Sequence, residues 1–291
     1  MVSGLVSAVT AAFVWGGYLF ALKRYFDGYP ATVLTVLVNG FAVLWYLPLT
    51  LTRVSPGAVP SAGDLGGTGL AVLAVTVVAT AAAFVIFLRA LAIGEVSYVA
   101  PINKLVPVFV LPLEVGILQQ ALDALEIAGV FVATTAVYVA NYRQGALLDP
   151  LRRAAASRPA QLALLSAACY AVSDLGKRVI LQEMNVPIEL WVPTLLLGVL
   201  VVLLPSALRA WPAGLLPDLP KFALAGALVA LGEHVTSLAF AAIPASIASP
   251  IINTQAVVAV LLGGIVLREA QFRVRLVAAG LAVAGVTLIA V

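Results

Sequence analysis

The sequence predicts an all-α integral membrane protein, with ten transmembrane helices arranged as two inverted five-helix repeats. Three observations predict it. Of the 291 residues, 63% are apolar and only 10% are charged, and the mean hydropathy is +1.12. An ordinary soluble domain is about 45–50% apolar and about 25% charged. Apolar runs of membrane length recur along the chain, and each crossing needs about 20 such residues. Third, the two halves of the chain match each other in order. This composition excludes a disordered chain, a coiled coil and a nucleic-acid binder, and a soluble fold would expose large apolar patches to water.

Each span follows from apolar length and from charge, Pro or Gly punctuation. Span 1 covers about 3–24 and closes on Lys23-Arg24; span 2 covers about 31–52, between Pro30 and Arg53. A Gly/Pro/Ser loop with Pro56, Pro60 and Asp64 precedes span 3 (about 66–89), which stops near Arg89. Span 4 is about 96–117 and span 5 about 124–142. A polar connector follows with Asp149, Arg152, Arg153 and Arg158. Spans 6 to 10 fall at about 160–180, 187–208, 219–242, 245–267 and 272–291. In hydrocarbon each segment must satisfy its own backbone, so these runs are helices. Stretches such as Ala223 to Leu231 do not alternate, which excludes a β-barrel.

The internal match has four parts. Pro30 and Pro48 correspond to Pro187 and Pro205, both at an offset of 157. Phe84–Pro101 aligns without gaps on Glu233–Pro250 at an offset of 149 and continues into Leu118-Gln119-Gln120-Ala121 against Leu267-Arg268-Glu269-Ala270. Lys23-Arg24 closes span 1 as Lys177-Arg178 closes span 6. The halves are residues 1–145 and 160–291, joined by a polar connector at 146–159. Five spans per half force the second half to enter the membrane upside down, which is an inverted repeat.

Trp15-Gly16 with Lys23 on span 1, and Leu267-Arg268-Glu269 before a last span with Gly280 and Gly285, carry a resemblance. They are similar to the Trp-Gly…Lys opening and the Leu-Gly-Glu segment of the drug/metabolite transporter superfamily, in its ten-helix EamA-type branch. The first half has Leu118-Gln119-Gln120 in the corresponding place, and span 4 carries Lys104 where many relatives are apolar. The resemblance covers essentially the whole chain. It implies a secondary transporter, often an exporter of amino acids or other small metabolites, without a cofactor, as a monomer or dimer in the plasma (inner) membrane of a prokaryote.

Ionisable groups at mid-bilayer cost a few kcal/mol or more and usually face a cavity or a partner. Lys104 lies eight residues into span 4, roughly 12 Å deep. In this position it can hold a carboxylate or phosphate as a point charge. Asn103 stands beside it; Asn253 and Gln255 lie in the aligned part of span 9, and Asn39 about as deep in span 2. These amides can bind the rest of a ligand or simply bond helix to helix. Trp15, Tyr18 and Tyr98 are candidate cavity walls, or packing. Glu233 and His234, near the middle of span 8, can carry a proton and couple transport to a gradient, or can pair structurally, Glu233 with Lys104. Asp174, one turn before Lys177-Arg178, reads as a structural ion pair. Pro101, Pro107 and Pro112 can bend span 4, and Glu114 near its far end can reach the interface. Trp45, Trp191 and Trp211, near span ends, read as interfacial anchors.

Enzyme signals are weak. One histidine and one cysteine, Cys169, supply no metal-ligand spacing, and no Gly-Lys-Ser/Thr follows the Gly66-Gly67 string. Energy must then come from a gradient, or the protein is a facilitator. A lipophilic-cation exporter and a non-transporting scaffold or lipid-handling protein are the alternatives. The Met1-Val2-Ser3-Gly4 start has no basic segment, which argues against a cleaved signal peptide. Twelve basic residues fall on one side of the predicted topology; Arg53, Lys177 and Arg178 fall on the other. The positive-inside rule puts the twelve in the cytoplasm and both termini outside, whereas the resemblance implies cytoplasmic termini. Both orientations stay open.

Overall fold

The computed structural model describes residues 2–26, 28–55, 62–106, 155–242, 251–268 and 272–289, with isolated positions at 57 and between 108 and 139. Among these residues every regular element is helical. The first half holds α1 (Val2–Tyr25), α2 (Ala31–Arg53), α3 (Ala62–Ile93) and α4 (Val96–Asn103). The second holds α5 (Arg158–Arg178), continued by a π-turn at Val179–Glu183, then α6 (Ile188–Arg209), a 3₁₀ turn at Leu216–Asp218, α7 (Leu219–Ala242), α8 (Gln255–Val266) and α9 (Phe272–Ile289). Among the described residues, five stretches are long and apolar enough to cross a bilayer: Ser3–Tyr25, Ala31–Arg53, Gly63–Ile93, Ile188–Arg209 and Leu216–Ala242. Most of predicted span 5, the far part of span 4 with Pro107 and Glu114, and Glu269 lie outside the described residues.

Helix ends follow local chemistry. Pro30 and Pro187, matched in the sequence, occupy the same place at the starts of α2 and α6, with φ −58° in both. The proline ring fixes that angle, and a missing N–H is harmless where no intrahelical partner exists. Pro48 and Pro205 then sit inside the two helices. Gly66, at φ 62°, kinks the start of α3 in a conformation open to glycine.

Helix packing respects an exchange of the two halves. The main contacts pair α1 with α7 and α3 with α5, while α2 packs on α6. α1 also meets α8 as α4 meets α5, and α2 meets α7 as α3 meets α6. Swapping the halves turns each pair into another pair of the set, and α2–α6 into itself, as a two-fold relation requires. Lipid is as apolar as a leucine side chain, so polar contacts and close backbone approach hold such helices together. Thr80 and Ser173 share a hydrogen bond of 2.5 Å between α3 and α5, and Trp45 Nε1 donates to the Ala223 carbonyl at 2.9 Å between α2 and α7.

Two predicted spans are not continuous helices. α4 stops at Asn103; Lys104 is a turn residue at φ −84°, ψ 11°, and its backbone N–H bonds to the Ala100 carbonyl. The second half breaks within one residue of the equivalent place, at Thr254 after Asn253, within the helical stretch Ile251–Val266. In the alignment of the two halves Lys104 corresponds to Asn253, so the second break falls one residue beyond the first. Paired broken helices at mid-membrane are the usual place for a carrier's binding site. A second correction concerns Lys177-Arg178. The pair does not close its span: the chain stays helical to Glu183 and turns only at Asn185.

Arg268 adopts φ 54° just beyond the end of α8, where the resembled Leu-Gly-Glu segment has glycine. A left-handed residue at this position normally is glycine, because a Cβ there meets the preceding turn. A left-handed L-residue costs about 1–2 kcal/mol, partly offset by the greater entropy glycine loses on folding, so Arg268→Gly is expected to stabilise the protein by about 1 kcal/mol. The check is the detergent melting temperature, which should rise.

Candidate functional site

Both helix breaks face one cavity of about 110 Å³ between the halves. α1 contributes Trp15; α3 contributes Thr80, Phe84 and Phe87; α5 contributes Tyr170, Asp174 and Lys177; α7 contributes Glu233 and Thr236. Lys104 enters from the first break, Asn253 and Gln255 from the second. The walls thus combine aromatic rings with four charged groups of balanced sign.

Lys104 sits at the C-terminal end of α4, where unpaired carbonyls favour a cation. Its ammonium lies 6.0 Å from the centre of the Phe87 ring and 5.5 Å from that of Tyr170. Cation–π contacts of this kind supply about 1 kcal/mol. Glu233 does not pair with Lys104. Its carboxylate meets Lys177 at 3.8 Å, with both side chains largely buried. Asp174 feels the charges of Lys177, Lys104 and Glu233. Among the described residues, neither Lys104 nor Asp174 belongs to an ion pair. A cation and a carboxylate therefore face the same space without neutralising each other by contact.

Of the ten candidates named from sequence, Lys104, Asn253, Gln255, Trp15 and Glu233 line the cavity. Trp15 is oriented by a hydrogen bond from its Nε1 to Thr236 Oγ1 at 3.0 Å. The other five stand apart from that lining. Asn103 is fully buried and donates to Ser166 Oγ at 2.9 Å, tying α4 to α5; among the described residues its Oδ1 has no hydrogen-bond partner. Asn39 is buried within α2. Tyr18 is fully buried behind the wall, edge-on to Trp15 and stacked on Phe84. Tyr98 reaches Ser157 Oγ at 3.2 Å near the start of α4. His234 shares a 2.7 Å hydrogen bond with the Tyr46 hydroxyl on α2. Adjacent positions on one helix thus turn to different neighbours, and Glu233 rather than His234 faces the cavity.

Asp174, Lys177 and Tyr170 also line the cavity, although in sequence Asp174 and Lys177 read as a structural ion pair. A signal was present. Nothing after Lys177-Arg178 ends a helix until Asn185-Val186-Pro187, so the pair had to lie within the helix rather than at its end. Lys23, its counterpart, does mark a helix end: its ammonium donates to the Leu91 carbonyl at 3.0 Å, beside the last turn of α3.

The profile of the EamA-like transporter family matches residues 2–142 and again residues 158–291, once for each half. The chain belongs to the EamA-like transporter family. As an EamA-like protein it is an integral, multi-pass membrane transporter of small molecules. No curated protein matches it. One solved structure it resembles, described only as the crystal structure of a protein, shares 16% sequence identity. The two superpose with a TM-score of 0.68 over 99% of this chain and 96% of that one, which shows a common fold.

Proposed function

We propose that this EamA-like transporter carries a small organic metabolite with a carboxylate, an amino acid as the leading candidate, by alternating access around the cavity. The observation that carries this reading is the pair of unneutralised opposite charges, Lys104 and Asp174, on one aromatic-walled space. Lys104 takes the anionic end, Asp174 the cationic end, and Asn253 and Gln255 hydrogen-bond what lies between. The two halves, 1–145 and 160–291, rock about the connector at 146–159. The direction is export across a prokaryotic plasma membrane, with Glu233 as the group placed to exchange a proton.

The test is counterflow in proteoliposomes with amino acids, phosphorylated sugars and cationic dyes, with and without a pH gradient. Zwitterionic amino acids are expected to exchange. Exchange of cationic dyes alone would favour the lipophilic-cation exporter, in which Glu233 binds the cargo. No exchange of any solute would favour a protein that does not transport. Dependence of the amino-acid signal on the pH gradient would support proton coupling.

A further inference from the structure

The ends of the helices on one face of the protein are tied together by polar contacts. Lys23 bonds the end of α3, the Tyr29 hydroxyl donates to Asp218 ahead of α7, and Tyr98 reaches Ser157 ahead of α5. This face carries most of the basic residues. On this face Arg275, on α9, is only 8% exposed. Its guanidinium pairs with Glu95, donates to Ser97 Oγ at 2.8 Å and lies 5.5 Å from the centre of the Tyr98 ring. Glu95, Ser97 and Tyr98 are the cap and first turn of α4, from the other half of the chain.

α4 is two turns long, and Lys104 is its C-terminal cap. A short rigid rod thus has the cavity lysine at one end and the clasp at the other. The corner before it is tight: a Cβ on Gly94 would stand 2.7 Å from Val99 Cγ2 and 2.9 Å from Pro159 Cβ. The cavity lies away from this clasp. Its lining on α5 and α7 runs through Lys177 and Phe240 toward the ends of those helices on the opposite face. α4 thus joins the cavity, which Lys104 at its C-terminal end borders, to the clasp that ties its other end to α9.

We propose that the Glu95–Arg275 clasp is the gate of the basic face: closed, it fixes α4 and positions Lys104 in the cavity; parted, it frees α4 and opens the cavity to that face. The inference rests on the reading that the cavity alternates between the two faces. Arg275 and Glu95 act through α4, so they are positioning residues and do not touch cargo.

The experiment is sided thiol labelling of the full chain in proteoliposomes, in a Cys169→Ala background with Leu88→Cys as reporter. Leu88 is 6% exposed and lines a small hollow beside Lys23 and Leu91, between the cavity and the clasped face. A membrane-impermeant maleimide should react slowly with the reporter. Glu95→Gln or Arg275→Met should speed the reaction about tenfold or more, from the clasped face only, as expected when a closed state loses its main tie. The charge-swapped double variant E95R/R275E should restore protection. Unchanged labelling in well-folded single variants, or acceleration from both faces alike, overturns the proposal. If the single variants do not fold, Ser97→Ala and Tyr98→Leu, which remove the hydroxyl and the ring that Arg275 meets, weaken the clasp without stranding a charge. They should give a smaller, one-sided acceleration, and its absence overturns the proposal. Labelling needs no solute. The gate therefore stands or falls separately from the counterflow screen.

Discussion

Replacing Lys104 with alanine is expected to reduce counterflow of carboxylate-bearing solutes to background, a loss of roughly hundredfold or more. Removing one partner of a buried, hydrogen-bonded charge pair costs about 2–5 kcal/mol, and about 2.7 kcal/mol is already hundredfold. The effect is large because no second cation stands ready: Lys177 is held by Glu233 at 3.8 Å. The fold should survive. Lys104 makes two cation–π contacts and caps a two-turn helix through its backbone, which alanine preserves. The substitution also removes one of the two cations near Asp174, so any residual activity should shift toward cations. The measurement is counterflow of an amino acid and of a cationic dye, beside size-exclusion profiles of both proteins. Undiminished amino-acid exchange in a folded K104A protein would remove Lys104 from the site. Intact dye efflux would transfer the function to the cation exporter.

Gly226→Val is expected to give the largest loss of stability, about 3 kcal/mol or more. A Cβ at Gly226 would stand 2.5 Å from Phe41 Cβ, 2.8 Å from the Ala42 nitrogen and 2.9 Å from the Phe41 carbonyl carbon. Two of these three atoms are backbone, so no side-chain rotation relieves the contact. α7 and α2 would have to separate, breaking the bond from Trp45 to the Ala223 carbonyl between them. Overpacking of a well-filled interior costs typically 1–3 kcal/mol, and membrane helices rely on such small-residue contacts for association. Gly17→Ala is the control. Its Cβ meets nothing within 4 Å, and alanine is favoured over glycine in a helix by about 1 kcal/mol. Thermal stability in detergent, followed by the monodisperse size-exclusion peak, should fall sharply for the first and hold or rise for the second. Equal behaviour of the two would mean that α2 and α7 do not approach at Gly226.

Much of this architecture was legible in the residues. The predicted limits of spans 1, 2, 7 and 8 differ from α1, α2, α6 and α7 by at most one residue at each end. Those limits are set by charges and prolines, which act locally. The break at Lys104 was less legible. Pro101 lies three residues before it and suggests a bend, but a bend and a stop look alike in sequence. Arg275 was counted only as one of many basic residues on its face. Nothing in the order of residues says that it reaches back 178 positions to Ser97.

The sequence by itself determined that this chain is a bundle of membrane helices in two related halves. An apolar run in hydrocarbon must bond its own backbone, and a repeated pattern of breaks repeats the structure. It also marked which residues are costly to bury. Only the tertiary structure decided how each buried polar group is satisfied. Glu233 turns to Lys177 and the cavity, while His234 beside it turns to Tyr46. Asn103 bonds to Ser166 while Lys104 beside it enters the cavity. Successive residues on a helix point about 100° apart, so their partners depend on which distant helix lies against each side. That arrangement is a property of the packed bundle.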